Sequence, residues 1–340
     1  MKKLTMNLGR ASYGITVGKG LLAEAGKYFN LDRKVLIVTD SGVPAEYAQA
    51  IAAQCKESLT VTVAEGEGSK SFDGLTTVLG AMSELGMGRQ DCAVAVGGGV
   101  VGDLTGFAAS CYMRGIDFYN VPTTVLSEVD SSIGGKTAIN FAGIKNNIGA
   151  FHQPRGVLID TDVLKTLSRR QIANGLCEAL KMSVTSDAAL FEKFEKMSFE
   201  ELLLDIEEII VDSLTIKKRV VEQDEREVGL RKILNFGHTF GHGVEAECGM
   251  SGLYHGECVA IGMIPMCSPE VRKRLLPVLA KLGLPTVFHV NLEGALSFVT
   301  HDKKCSGGLV DCIYVEKIGS ARIQRMSIED FAETVRAVIK

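Results

Sequence analysis

The chain has 340 residues, 46% hydrophobic and 23% charged, a balance that excludes a mostly disordered protein and supplies a packed core. Its length suits two domains or one large one. With 37 Lys and Arg against 41 Asp and Glu, the net charge is −4, which lacks the basic excess of a nucleic-acid binder, and no apolar run is long enough for a membrane span.

Lys2 and Lys3 are followed by a mixed polar stretch, Leu4 to Gly18, not by an apolar secretion signal. Short β-branched runs at Val35 to Thr39, Leu59 to Val63, Cys92 to Val96 and Phe118 to Val121 read as strands. Ala45 to Cys55, Gly74 to Leu85 and Val101 to Cys111 carry helical spacing between them. Such alternation predicts a mainly parallel sheet with helices on its faces. Of 37 glycines, 23 fall in residues 1–160, so backbone-shaped loops concentrate there. From about Asp162 the period changes. Segments 169–185, 199–222, 232–247, 256–267, 270–282 and 328–339 read as helices, with one weak strand or hairpin at Leu309 to Val315. The run Glu222 to Glu227 reads as a solvated helix end. Turn-prone Pro154-Arg155-Gly156 marks the boundary region between an α/β half and a helical half, and the cleft between halves is the default site. Nine cysteines, an odd number without a CxxC pair and mostly in apolar stretches, read as buried thiols of a cytoplasmic protein.

Gly97-Gly-Gly99-Val-Val-Gly102 matches G-x-G-x-x-G between a strand and a helix, where main chain can approach a diphosphate and helix N–H groups face its charge. It follows a later strand than in a standard dinucleotide unit, so any such site is a variant, with Asp40 placed to meet a ribose. A second glycine loop, Ser131-Ser-Ile-Gly-Gly-Lys-Thr137, has a P-loop ending, but Asp130 stands where the leading glycine belongs and opposes a phosphate cradle. Lys136 and Lys145 near these glycines suit an anionic small molecule.

His238 and His242 are an i, i+4 pair, and His255 opens the next apolar helix. Gly237, Gly241 and Gly243 crowd the pair at a cost in helix stability, which implies close approach to a neighbour or ligand. Glu178, three residues before Lys181 in an apolar helix, supplies a carboxylate. Two or three imidazoles and a carboxylate suit a catalytic metal site, and spacing alone leaves His238 and His242 as alternatives.

These motifs, in order, resemble one family. The segments are Gly97-Gly-Gly-Val-Val-Gly-Asp-Leu-Thr-Gly106, Tyr112-Met-Arg-Gly115, Pro122-Thr-Thr124, Val129-Asp-Ser-Ser-Ile-Gly-Gly-Lys136, Lys145-Asn146 and Ile148-Gly-Ala-Phe151. They continue with Gly175 to Lys181, Leu234-Asn-Phe-Gly-His-Thr239 with His242, His255-Gly-Glu257 and Asp302-Lys-Lys304. From about Tyr13 to Gly319 the chain resembles the 3-dehydroquinate synthases, a family of sugar phosphate cyclases. Departures are small: Ala64-Glu-Gly-Glu-Gly-Ser-Lys70 lacks the family's proline, and Asn147 and Gly243 replace a common Met and Ala.

The resemblance implies an α/β, Rossmann-like NAD-binding domain over 1–160 and an all-α metal- and substrate-binding domain over 161–340. It implies Glu178, His238 and His255 as ligands of a divalent metal, zinc or cobalt. NAD would be held by Asp40, Glu67, Lys70, Gly99, Val100, Val101, Gly102, Asp103, Thr123, Thr124, Lys136, Lys145, Leu164, Lys165 and Thr166. The substrate pocket would use Asp130, Lys136, Asn146, Lys181, Lys217, Arg231, Asn235, His242 and Glu227, with either Lys303 or Lys304 facing it. Family members are homodimers, in which Arg114 would reach the neighbouring subunit's site. The implied substrate is a phosphorylated sugar acid, 3-deoxy-D-arabino-heptulosonate 7-phosphate. It is converted to 3-dehydroquinate by transient oxidation, phosphate elimination, re-reduction and aldol closure. Rival readings are a metal-dependent NAD alcohol or polyol dehydrogenase and a non-catalytic NAD-binding protein.

Overall fold

The computed structural model describes residues 1–249, 252–287, 291–300, 305–306 and 308–339, in two compact units, Met1–Leu167 and Ser168–Lys340. The expected division at 160/161 falls at the start of the 3₁₀ turn Thr161–Thr166 that closes the first unit.

In the first unit β1 (Lys2–Met6), β2 (Tyr13–Gly18), β3 (Lys34–Asp40), β4 (Glu57–Val63), β5 (Cys92–Gly97) and β6 (Asp117–Pro122) join one sheet. The separate hairpin β7 (Lys136–Phe141) and β8 (Ile144–Phe151) precedes β9 (Gly156–Asp160), and the sheet order is β1-β2-β9-β6-β5-β3-β4. All neighbours are parallel except β1 with β2. Strands β5 and β9 are buried throughout, as continuous apolar runs covered on both faces should be, while edge strand β4 alternates towards water.

Helices α1 (Ala45–Ala52), α2 (Phe72–Glu84) and α3 (Gly99–Cys111) link the strands. Leu75 and Val78 of α2 and Leu104 and Phe107 of α3 pack with Leu36, Val38 and Phe118 in one core. Lys136 and Thr137 begin a strand, whereas a P-loop needs a helix there, and that reading is thereby excluded.

The second unit is built around α4 (Arg169–Ser186), opened by a Ser168–Gln171 capping box and buried on all sides over its last three turns. Around or beyond it lie α5 (Ala188–Lys196), α6 (Phe199–Leu204), α7 (Ile206–Gln223), α8 (His238–Cys248), α9 (His255–Met263), α10 (Pro269–Leu282) and α11 (Leu292–Thr300). The expected 199–222 helix breaks at Asp205, and the expected 232–247 helix begins as a 3₁₀ turn, Leu230–Asn235, before Gly237 adopts φ 78°.

The all-α expectation needs one amendment. Strands β10 (Cys305–Ser306), β11 (Leu309–Lys317) and β12 (Ser320–Ser327) form an antiparallel sheet before α12 (Ile328–Val338), and the weak strand signal at Leu309 to Val315 lies within β11. Of the described thiols, Cys92, Cys177, Cys258, Cys267 and Cys312 are buried, Cys55 and Cys248 are half-buried, and Cys111 is exposed.

Candidate metal centre and nucleotide-binding turn

The chain runs outward from β3 to β4, then returns to place β5 on the other side of β3. That reversal is a topological switch point, and ligands of open parallel sheets bind beyond the strand C-termini there. Asp40 ends β3 and the Gly97–Gly99 turn ends β5, so the two flank the switch. The glycine motif is displaced to a later strand but faces the same crevice. A β-carbon on Gly97 would come 2.6 Å from Val101 Cγ2, and α3 starts from extended Gly98 without a side-chain cap. Burial raises the Asp40 carboxyl above its ordinary value, while its Oδ1 accepts the Gly42 N–H at 2.8 Å.

Lys70 is buried and ties several expected residues together. Its Nζ lies 2.6 Å from Asp103 Oδ2 on α3, 2.5 Å from Asn146 Oδ1 on β8 and 3.7 Å from Glu67 Oε1. Burial opposes the ammonium charge, yet Asp103 and Glu67 hold its pKa above the usual value. Asn146, with φ 52°, also donates its N–H to Asn140 Oδ1, and Asn140 Nδ2 donates to Glu67.

Thr123 is buried, and Thr124 packs by the turn and exchanges hydrogen bonds with Ser127. Asp130 lies in a π-helical turn, Ser127–Ser131, a deformation frequent at functional sites. Within that turn Glu128 is fully buried, and neither carboxylate oxygen has a hydrogen-bond partner among the described residues. Burial, with Asp160 nearby, pushes its carboxyl well above the usual range. Lys136 and Lys145 are exposed, Leu164 is buried, and Lys165 pairs with Asp162 at 2.6 Å beside Thr166. Arg114 is exposed at φ 70° beside Met113 at φ 50°, backbone that L residues rarely adopt.

In the second unit Glu178 of α4 is 1% exposed, and one helical turn on Lys181, equally buried, brings Nζ to 2.5 Å from Oε2. His238 and His255 open α8 and α9 and aim Nε2 at Glu178 Oε1 from 3.9 and 3.5 Å. Ligand atoms of Glu178, His238 and His255 all lie within 4.8 Å of one another. His242 is adjacent, its ring centroid 5.3 Å from that of His238, but among the described residues it groups with Glu245 and His255.

Neither Glu178 oxygen has a well-formed hydrogen bond among the described residues, despite the Lys181 ion pair. A buried carboxylate left so, facing two imidazole nitrogens, fits a divalent cation with one position open. Burial alone would raise the Glu178 carboxyl, but Lys181 and His255 hold it far below the usual range. His255 is pushed up to about 10, because Glu178 and Glu245 outweigh the burial that opposes its cation.

Main-chain contact fixes the helices that carry these groups. A β-carbon on Gly262 of α9 would overlap the Gly237 carbonyl before α8, and one on Gly256 would overlap the Asn174 carbonyl of α4. The glycine crowding therefore reflects neighbouring backbone: Gly237 and Gly241 lie against α9 and Gly243 against Ala295 of α11. Arg170 clamps the same junction, its Nε and an Nη each 2.7 Å from a Glu257 oxygen.

Lys217 and Arg231 are also buried. Helix α7 ends at Gln223, and the run read as a solvated helix end turns inward. Asp224 is buried, its carboxylate accepting N–H groups from Val228, Gly229 and Arg231 at 3.0, 2.8 and 2.9 Å. Burial would raise its pKa, and those three donors hold it below the usual value. The resulting turn sets Glu227 at φ 58°, where Oε1 accepts from Asn235 Nδ2 at 2.6 Å. Residues 302–304, including both candidate lysines, lie outside the described residues.

Two residues near the expected set went unnoticed in the sequence: Asp224, hidden in a charged run, and Glu245, whose only signal was its i+3 spacing from His242.

A glycine turn at a parallel-sheet switch point, with a carboxylate–imidazole cradle in a helical unit, defines a class of α/β-plus-helical proteins suited to a nucleotide and a cation. The family model for the 3-dehydroquinate synthase N-terminal region matches residues 60–174, and that for the C-terminal region matches 175–305. A 3-dehydroquinate synthase from Streptococcus sanguinis is 39% identical over 98% of this chain and 99% of its own. A 2-deoxy-scyllo-inosose synthase solved with carbaglucose-6-phosphate, NAD⁺ and Co²⁺ superposes with TM-score 0.89 at 23% identity, covering 99% of this chain and 100% of that one. The 2-epi-5-epi-valiolone synthase of Streptomyces hygroscopicus, with NAD⁺ and Zn²⁺ bound, superposes with TM-score 0.87 at 27% identity over 96% of each chain. The chain belongs to the 3-dehydroquinate synthase family.

Proposed function

We propose that this chain converts 3-deoxy-D-arabino-heptulosonate 7-phosphate to 3-dehydroquinate and phosphate, the carbon–oxygen lyase reaction of its family. The observation that carries the reading is the convergence of buried Glu178 and His238 with half-buried His255 beside Lys181, in a chain alike end to end with a 3-dehydroquinate synthase. NAD and a divalent ion, zinc or cobalt, would supply the hydride acceptor and the Lewis acid that acidifies the oxidised hydroxyl.

Glu178, His238 and His255 would hold the ion. The Asp40 carboxylate, the Gly99–Asp103 helix start and the Lys70 network would hold the nucleotide, the helix start facing its diphosphate. Lys181, Lys217 and Arg231 are cations kept buried at a desolvation cost, an arrangement that suits a ligand bearing both phosphate and carboxylate. Asn235 and Glu227, held together by their hydrogen bond, would orient hydroxyl groups. Exclusion of water by these buried side chains would keep a reactive ketone in place until it is reduced again.

A cytoplasmic homodimer belongs to the same reading. Arg114, exposed on left-handed backbone, is the residue that would reach the partner, and the buried thiols suit a reducing compartment. Among the described residues no helix is long and apolar enough to cross a membrane.

The decisive assay follows phosphate release from the heptulosonate with catalytic NAD. Release without net growth of reduced-nucleotide absorbance is expected. Stoichiometric NADH without phosphate would replace this reading by a polyol dehydrogenase.

A further inference from the structure

We propose that Glu245 is a positioning residue of the metal centre, its carboxylate backing the outer nitrogen of His255 so that the inner nitrogen faces the ion. The proposal rests on the assignment of Glu178, His238 and His255 as ligands. The His255 ring stands between two carboxylates, with Nε2 3.5 Å from Glu178 Oε1 and Nδ1 3.6 Å from Glu245 Oε2. His238 is arranged alike with a weaker outer partner. Its Nε2 points to Glu178, and its Nδ1 lies 3.2 Å from the Phe236 carbonyl oxygen.

A neutral imidazole that donates Nδ1–H outward keeps its Nε2 lone pair for a cation. A carboxylate acceptor polarises that N–H more strongly than a carbonyl does, so His255 becomes the more basic ligand. Helix α8 makes this possible by placing His238, His242 and Glu245 at i, i+4 and i+7, on one face. The helix that brings one ligand to the ion thus also carries the group that orients the other. A small rotamer adjustment would close 3.6 Å to hydrogen-bond length, as a bound ion fixes the ring.

The same side chains define the rival, since ligand atoms of His242, Glu245 and His255 also lie within 4.8 Å of one another. In that case Glu245 would be the direct ligand of a second ion.

The test is a Co²⁺ titration of metal-free full-length protein, read by visible absorption and by chelator competition, for wild type, Glu245→Gln, Glu245→Asp and Glu178→Gln. Expected is one ion per wild-type chain. Glu245→Gln should still bind one ion, about 10–100-fold more weakly and with a shifted absorption band. Glu245→Asp, which keeps the charge on a shorter stem, should fall between them and serves alone if Glu245→Gln does not fold. Unchanged affinity and spectrum in the folded Glu245 variants would overturn the proposal, as would two ions in wild type falling to one in Glu245→Gln. Wild-type cobalt binding in Glu178→Gln would instead overturn the underlying metal assignment.

Discussion

The candidate nucleotide turn of the first unit is shaped by main chain, whereas the cradle of the second is made of ionisable side chains held by main chain. At the turn, Gly97 packs on Val101 and α3 begins with no capping side chain, so the surface is one of N–H groups and missing β-carbons. In the cradle, a buried carboxylate, an ammonium and two imidazoles meet, and burial magnifies every charge among them. The difference teaches where each is vulnerable: shape fails when atoms are added, charge fails when they are exchanged.

The largest effect expected is on the charged side. Glu178→Gln keeps the volume and removes the negative charge, and phosphate release should fall by at least about 10³-fold, with metal content lost by elemental analysis. Retention of both would show that the cradle depends on shape after all.

Next is the joint beneath it. Gly262→Ala should cost about 3 kcal/mol or more in denaturant unfolding, because the clash is with backbone and not with a movable side chain. A smaller loss would mean that α8 and α9 slide apart easily.

Glu128 tests burial without partners in the first unit. Below its ordinary pKa of 4.5 the group is protonated in folded and unfolded chains alike. Above that value the unfolded chain gives up the proton while the folded one keeps it, so stability falls as pH rises towards the folded pKa. Glu128→Gln removes that slope. Its advantage in thermal melts should grow from pH 4.5 towards neutrality, by at most about 1.4 kcal/mol per unit. A pH-independent difference would show that Glu128 has a partner in solution.

The smallest effect is the control for missing β-carbons. Gly80 in α2 has nothing within 4 Å of an added one, so Gly80→Ala should stabilise by about 0.5–1 kcal/mol.

Sequence reading went furthest where one strong period held. The buried strands β3 and β5 and helices α4, α9 and α10 announce themselves by composition. Hairpin β7–β8 did not, since its two-residue turn, Ala142-Gly143, has φ 52° and 76° and so takes the type I′ form without its usual Asn-Gly signal. Strands β1 and β2 hid in a stretch whose polar residues face water on an edge strand. Among candidate groups, the choice between His238 and His242 was open at i, i+4 spacing. In the structure His255 groups with either one, and what separates them is that Glu178 groups with His238 whereas His242 groups with Glu245. Glu227 misled because a helix stop before an inward loop looks, in composition, like a solvated helix end.

The glycine-to-carbonyl seat between α8 and α9 has a consequence for how such a protein can change over generations. The separation of the two helix starts that carry the imidazoles is set by a backbone joint, Gly237 against Gly262, and not by the volume of a side chain. Interior volumes around that joint can drift by substitution with less effect on the spacing of the two helix starts than a single β-carbon at the joint itself would have.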